Sequence, residues 1–377
     1  MKIPFNKLYY TGNELTYIND SMNNGKISGD GIYTKKCNEY FEKRYGFKRA
    51  LLTTSCTDAL ELSSILINLK PDDEIIIPSY TFVSTVNPFL MRGAKIVFCD
   101  SEKTRPHVSP NEISRLINKK TKAIVIVHYA GIACDMEPIL DLVKSNNLFL
   151  IEDAAQAVDS FYKNKPLGSL GNFASFSFHD TKNIICGEGG LIVINDEKFI
   201  KRAEIVREKG TNRAAFFRGE VDKYGWVDVG SSFLPADILA AFLYAQLENL
   251  DQIQSMRKKI WNTYYSRLID LEKSGKICIP QIPSYSSNNA HMFYIICRNL
   301  EERTGLIKRL KENDIQAVFH YQSLHCSQFF NSFHDGRKLP NSNKFANCLL
   351  RLPLYYDLKE NEIGEIVNII YDYYKNL

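Results

Sequence analysis

The chain has 377 residues, of which 45% are hydrophobic and 24% charged, and a formal net charge of +4. Acids and bases are interspersed, so no basic block points to nucleic acid or to a membrane surface. The nine cysteines are an odd number without CxxC pairs or histidine spacing, which fits reduced thiols and speaks against a disulfide framework or a zinc site.

The first residues, "MKIPFNKLYYTGNE", carry proline and polar side chains where a signal peptide needs an apolar core. No apolar run is long enough to span a bilayer, so the expectation is a cytoplasmic protein. The length exceeds what one small core absorbs, so two domains are expected. A strand is expected to end near Thr53, ahead of the helical pattern "TDALELSSILINL" (57–69). "DEIIIP" (73–78), "AKIVFCD" (94–100), "KAIVIVHYAG" (122–131) and "LFLIED" (148–153) read as buried strands. "SPNE" (109–112) predicts a helix start, with Ser109 as cap, Pro110 in the first turn and Glu112 completing a capping box. "MEPILDLVKSNN" (136–147) is a further helix. Strand–helix repetition implies an α/β fold with a mainly parallel sheet covered on both faces. A long helical pattern runs over 235–268. Strand-like 290–298, helical 302–314, strand-like 316–321 and a last helix near 360–374 follow. That is an α+β unit, which places a boundary near residue 250: domains 1–250 and 251–377.

Ligands of open α/β sheets bind beyond the carboxyl ends of the strands, so the residues after each strand are the ones to read. Ser55, Cys56 and Thr57 open a helix, where free N–H groups and two hydroxyls make either a phosphate cradle or a plain N-cap. Glu152 and Asp153 end a strand. Adjacent side chains on a strand point to opposite faces, so only one carboxylate faces a site, where it can meet a cationic ring nitrogen or cap the next helix. No further ligands are spaced for a metal. In "FSFHDTKNIICGEGG" (176–190), Ser175, Ser177 and His179 alternate with Phe176 and Phe178, and Lys182 follows. Neither "GEGG" nor the "GDG" at 29–31 completes a phosphate-loop or dinucleotide motif. A desolvated lysine becomes a nucleophile that forms a Schiff base with a carbonyl cofactor. The three positions together fit pyridoxal phosphate (PLP). Lys182 takes the aldehyde, Asp153 holds the ring nitrogen protonated, and Ser55–Thr57 take the phosphate. The glycines after Lys182 let backbone pass close to the ring.

At these residues the sequence resembles the sugar aminotransferases of the DegT/DnrJ/EryC1/StrS family. The resemblance covers essentially the whole chain, through "GDG", "PSYTFVSTVNPFLMRGAKIVFCD", "VHYAG", "IEDAAQAV", "SFSFHDTKN", "GEGG" and "REKGTNR". "SCTDALEL", "FFRGEVDKYGWVDVGSSFLPAD", "NAHMFYI" and "AVFHYQSLH" are similar to the subgroup that makes dTDP-4-amino-4,6-dideoxygalactose for enterobacterial common antigen. The resemblance implies an aspartate-aminotransferase-like (type I PLP) fold with a seven-stranded, mainly parallel sheet and a smaller C-terminal α+β domain. It implies transfer of an amine from glutamate, which leaves 2-oxoglutarate, to a dTDP-linked 4-keto-6-deoxy sugar in a homodimer whose site lies at the interface. A 3-keto or UDP-linked substrate is the alternative. It further implies Lys182 and Asp153 as catalytic residues with His179 beside them. Phe82 would stack on the ring, Gln156 would lie at its edge, and Cys56, Thr57 and Ser177 would hold phosphate. Tyr321 and His325 become sugar-side contacts. Many relatives place an asparagine in a segment that reads "VGSSFLPAD" here; Ser232 is its shorter counterpart, beside Ser231.

Overall fold

The computed structural model describes residues 2–375 and Leu377. Two helices, α1 (Glu14–Asn23) and α2 (Ile32–Tyr45), precede the first strand. The alternation then runs β1 (Arg49–Thr53), α3 (Cys56–Leu66), β2 (Glu74–Pro78), α4 (Asn87–Leu90), β3 (Lys95–Cys99), α5 (Pro110–Leu116), β4 (Thr121–Val127), α6 (Met136–Ser145) and β5 (Phe149–Asp153). A small hairpin, β6 (Phe161–Tyr162) and β7 (Lys165–Pro166), leads to β8 (Phe173–Ser177) and β9 (Gly190–Ile194). Helices α7 (Ile200–Arg207), α8 (Arg213–Phe217), α9 (Asp237–Glu248) and α10 (Leu250–Lys273) follow. The last part comprises β10 (Phe293–Ile296), α11 (Leu300–Glu312), β11 (Val318–Phe319), α12 (Pro340–Cys348), β12 (Leu349–Leu352) and α13 (Glu360–Lys375).

The main sheet has seven strands in the order β1-β9-β8-β5-β4-β2-β3. β3, β2, β4, β5 and β8 pair in parallel, and β9 pairs antiparallel with both β8 and β1. Every strand but β9 therefore runs the same way. The carboxyl ends of β1, β2, β4, β5 and β8 share one edge with the start of β9. Side chains alternate between two cores. Ile76, Ile124, Ile126 and Leu150 pack on the side of α2, α6 and α9. Ile75, Ile77, Val125 and Ile151 pack on the side of α3 and α7. This double burial is why the strands read as unbroken apolar runs.

Two expectations change. The pattern over 235–268 is not one helix: it breaks at Asn249, whose side-chain amide donates to Ala245 O at 3.0 Å and offers the backbone an alternative to the helical ladder. The capping box at α5 is half made. Ser109 accepts from Glu112 N at 3.4 Å, but Ser109 N donates to Asp100 O, and the Glu112 carboxylate pairs with Arg115 instead.

A third core fills the C-terminal part, where β10-β12-β11 carry α10, α11 and α13. α10 enters both: Ile253 packs in the first core, and Ile260, Trp261 and Tyr264 in the third. Ile3 from the N-terminal stretch is buried there too. Among the described residues no helix is long and apolar enough to cross a membrane.

Asn289 joins the main sheet's loops to this third unit. Its buried side chain donates to Gln156 O and Val158 O, both at 2.8 Å, and accepts from His291 N at 3.0 Å. Asn289→Ala leaves those three backbone groups unpaired, at about 1–3 kcal/mol each. We expect the melting temperature to fall by about 5 °C or more, read by calorimetry. An unchanged melting temperature contradicts the joint.

Candidate active site

The site grows from the end of β5. Glu152 and Asp153 face opposite ways, as their strand requires. Glu152 is fully buried and satisfied. Its oxygens accept from His128 Nε2 (2.9 Å), Gly168 N (2.8 Å), Leu170 N (2.8 Å) and Gly171 N (2.6 Å), so it is a structural acid. Asp153 faces the shared edge. Its Oδ2 accepts from Thr85 Oγ1 at 2.8 Å, Oδ1 accepts from Ala155 N at 3.1 Å, and Thr85 is steadied by Thr81 at 2.7 Å. Burial pushes the carboxyl pKa above its ordinary value, and these bonds and the Lys182 charge only partly reverse that.

Lys182 reaches the same space from the turn after β8, closed by Lys182 N donating to His179 O at 2.8 Å. The turn is fixed by the next residue. Asn183 donates to Gln254 Oε1 at 2.7 Å and to Asn289 O at 2.8 Å, and its Oδ1 meets His291 Nδ1 at 2.9 Å. Asn6 of the N-terminal stretch donates to Asp180 O at 2.8 Å. Burial lowers the pKa of the Lys182 amine, the nearby Cys56 and Asp153 pull it back up, and Arg351 lowers it further. Among the described residues the amine has no hydrogen bond or ion pair. Lys182 and Asp153 thus feel each other's charge across a gap.

The N-terminus of α3 closes the third side. Ser55 is an N-cap, its Oγ accepting from Asp58 N at 3.0 Å, so the plain capping reading holds. Above it, among the described residues no partner takes Cys56 N or Thr57 N, and these N–H groups sit at the positive end of the helix. Burial raises the Cys56 pKa, which keeps the thiol neutral and out of competition with the lysine. Ser175 Oγ, on β8 beside Asp153, is buried next to the Cys56 thiol, whose pKa it pulls down, and meets no other polar partner among the described residues. Gly190 is required here for close approach: a Cβ on it would overlap the Ser55–Cys56 backbone. The glycine thus serves the start of α3.

The residues fit pyridoxal phosphate. A helix N-terminus with free N–H groups, a buried carboxylate lacking a cation and an unpartnered amine surround one space, and the Ser175 hydroxyl lies beside it. Gln156 belongs there as well, its Oε1 accepting from Ala130 N at 2.6 Å and its Nε2 donating to the Tyr321 hydroxyl at 3.0 Å. Tyr321 adopts the left-handed region, φ 56°, and its ring lies 6.0 Å from that of Phe82, which is 54% exposed at the rim. Ser177 is half-buried opposite Gly190.

Four residues named from the sequence lie outside this cluster in the single chain. The His179 side chain is 46% exposed and turns to Thr181 at 3.1 Å. His325 is buried against Ser79, Nδ1 to Oγ 2.6 Å, and packs beside His334. Ser231 and Ser232 lie exposed on the segment leading to α9. Conversely, Arg351 on β12 escaped the sequence reading. It makes no ion pair among the described residues, its Nε is buried without a partner, and it packs over the Phe5 ring at 4.7 Å. Tyr129, Tyr321 and Tyr80 offset part of the burial that lowers its pKa. A lone arginine in an apolar strand was the available signal.

Comparison with known proteins identifies a family. The family model described as the DegT/DnrJ/EryC1/StrS aminotransferase family matches residues 9–371. The chain is 30% identical to GDP-perosamine synthase of Vibrio cholerae and 31% identical to that of Escherichia coli O157:H7, over 99% of each chain in both cases. The solved PLP form of Spr1654 from Streptococcus pneumoniae shares the fold. Its TM-score is 0.91 at 24% identity, over 100% of this chain and 99% of that one.

Because the native Asp153 carboxyl is raised above its ordinary 3.8, the cofactor-free native state holds a proton that the unfolded chain releases. Its contribution to stability is present at low pH and lost as pH rises through the folded value. Asp153→Asn keeps an acceptor for Ala155 N, can donate its amide to a Thr85 hydroxyl turned toward Thr81, and lacks this loss. Melting curves of the cofactor-free proteins should diverge as pH rises above the ordinary carboxylate value of 3.8, with the variant about 2 °C more stable at neutral pH. Parallel curves contradict the buried, cation-poor carboxylate.

Proposed function

The chain belongs to the DegT/DnrJ/EryC1/StrS aminotransferase family, and on that premise we propose that it aminates a nucleotide-linked 4-keto-6-deoxy sugar with glutamate as donor. It is a PLP-dependent sugar aminotransferase. The substrate we assign is dTDP-4-keto-6-deoxyglucose, the product dTDP-4-amino-4,6-dideoxygalactose for a cell-surface polysaccharide, and the location the cytoplasm. Two relatives named GDP-perosamine synthase favour a GDP-linked sugar as the second reading.

The observation that carries the reaction class is the unpartnered Lys182 amine facing Asp153 beside the α3 N-terminus. PLP, when bound, supplies an electron sink for the carbon that loses its proton. The chain's own residues do the rest. Asp153, oriented by Thr85 and Ala155, holds a proton-bearing ring nitrogen through a charge-assisted bond that relieves its own desolvation. Lys182, with its pKa lowered, is a base that takes a proton from the donor's α-carbon and returns it on the other side of the transfer. Cys56 N and Thr57 N hold the phosphate, with Ser55, Ser175 and Ser177 hydroxyls within the same wall. Phe82 covers the ring from the rim. Arg351, a cation without an acid, receives the donor's carboxylate. The nucleotide supplies remote binding energy to a sugar with few handles at its reacting carbon.

We further assign a homodimer. Its face is the stretch from Phe217 to Ser232, where Trp226 is 84% exposed and Phe217, Tyr224, Val227 and Val229 are exposed with it. That stretch would bring the partner's Ser232 and the covering of Phe82 and His179. The division of the chain near residue 250 follows the passage of α10 from the first core to the third.

Lys182→Ala should bind PLP weakly and lose turnover by about a thousandfold or more, measured as 2-oxoglutarate released. Normal turnover overturns the assignment. The mass and stereochemistry of the product from dTDP-4-keto-6-deoxyglucose, run against its GDP-linked counterpart, decide between the two nucleotides. Arg351→Met should raise the KM for glutamate about tenfold or more, with the KM for the sugar nucleotide kept. Equal shifts in both contradict the role given to Arg351.

A further inference from the structure

The nine cysteines divide by exposure. Six are buried, Cys56 is half-buried at the start of α3, and Cys278 and Cys326 are exposed. The two exposed thiols differ in their surroundings. Cys326 lines an open groove of about 470 Å³ between α11, the 319–323 segment and α12, and no acidic residue lines it. The Cys326 sulfur lies 3.7 Å from Asn343 Oδ1, and Cys326 N donates to Ser323 O at 3.0 Å in the short helical turn that carries it. Arg303 lines the same groove from α11. Its Nε donates to Asn347 O at 3.1 Å, and its guanidinium packs 5.5 Å from the Phe319 ring centroid. Among the described residues it makes no ion pair, so its terminal nitrogens are uncommitted on a side chain already held in place. Ser323 lines the groove too. It is 3% exposed, and its Oγ has no partner although the residue precedes a helical turn it is placed to cap. A buried hydroxyl left unpaired is destabilising, and a polar ligand in the groove relieves it.

We propose that Cys326 is a site of reversible thiol modification, which takes a small carboxylate-bearing thiol as a mixed disulfide seated on Arg303. The Cys326 thiolate attacks one sulfur of a small-molecule disulfide. A new S–S bond joins Cys326 to that half, and the original S–S bond breaks. The other half leaves as a thiolate and takes up the proton that Cys326 released. Cys326 is oxidised and the departing half is reduced, so the disulfide is itself the oxidant. Reactive thiols stand in electropositive, partly exposed surroundings, and an acid-free groove with an unpaired guanidinium is one. Arg303 acts twice. Its charge draws an anionic disulfide toward the thiol, and its planar fork then holds a carboxylate of the seated half, where a lysine would offer a point charge. Ser323 Oγ donates to the same seated half. The groove's volume falls within the roughly 300–1,000 Å³ of small-molecule sites. Cys278 is the built-in comparison. It is equally open to a reagent, but it lies on a stretch paired with Ile296 and does not line this groove.

The test is peptide mapping by mass spectrometry while the PLP-loaded enzyme is exposed to three disulfides. Dithiodiglycolate is anionic, bis(2-hydroxyethyl) disulfide is neutral and bis(2-trimethylammonioethyl) disulfide is cationic; none carries a primary amine that would react with the cofactor. A cofactor spectrum like that of wild type shows that each variant is folded. In wild type, the rate with the anionic reagent relative to the cationic one should be about tenfold or more higher at Cys326 than at Cys278. Arg303→Ala should erase that preference while the rate with the neutral reagent is kept, and Arg303→Lys should recover part of it. Ser323→Ala should let a reductant strip the carboxylate-bearing adduct severalfold faster. Cys326→Ser should leave Cys278 labelled as before. The same anion preference at both cysteines overturns the site, as does a preference that survives in Arg303→Ala. So does an adduct lost equally fast from wild type, Arg303→Ala and Ser323→Ala, or a Cys326 that none of the three reagents labels.

Discussion

A buried carboxylate and a half-buried amine at one sheet edge, without a hydrogen bond or ion pair between them, are the constraint on which this structure turns. Burial raises the Asp153 carboxyl and lowers the Lys182 amine, and each offsets only part of the other's desolvation. Had they closed into an ion pair, the carboxylate would be spent and the amine protonated. Kept apart, they leave a space whose walls want a cation at one end, an electrophilic carbon at the other and an anion at the α3 N-terminus. Such an arrangement destabilises the empty protein and is repaid when a ligand of that charge pattern binds.

The surrounding residues maintain the separation. Glu152 fixes the end of β5 from the opposite face with four accepted hydrogen bonds, so Asp153 has one direction open to it. Asn183, Gln254 and Asn289 fix the turn that carries Lys182. Gly190 lets α3 begin against the strand, which brings free N–H groups within the same wall. These ties cross from the main sheet to α10 and the C-terminal unit. The site's geometry is therefore a property of both halves of the chain.

Much of this was legible in the residues. β2 to β5 are apolar runs because both sheet faces are covered, and a run of that kind ends where chemistry begins. Asp153 and Lys182 stood out because one ends a strand and the other follows one. Other parts were hidden for physical reasons. α2 buries Tyr33, Cys37 and Phe41 four residues apart, but charged residues between them dilute the stripe. β9 carries no marker of its antiparallel direction, since a strand buried on both faces reads the same either way. Arg351 stands in a strand whose sequence says only "apolar", and its meaning comes from tyrosines brought in from three other segments. His179 continues the polar alternation of β8, yet the turn after Phe178 carries it outward to Thr181. Alternation holds only while the strand does.

The most direct measurement of the central claim is where the cofactor attaches. The PLP-loaded protein, reduced with borohydride, digested and mapped by mass spectrometry, should carry one phosphopyridoxyl group, on the peptide that contains Lys182. Label on any other lysine, or no label on a protein that has taken up PLP, would contradict the account.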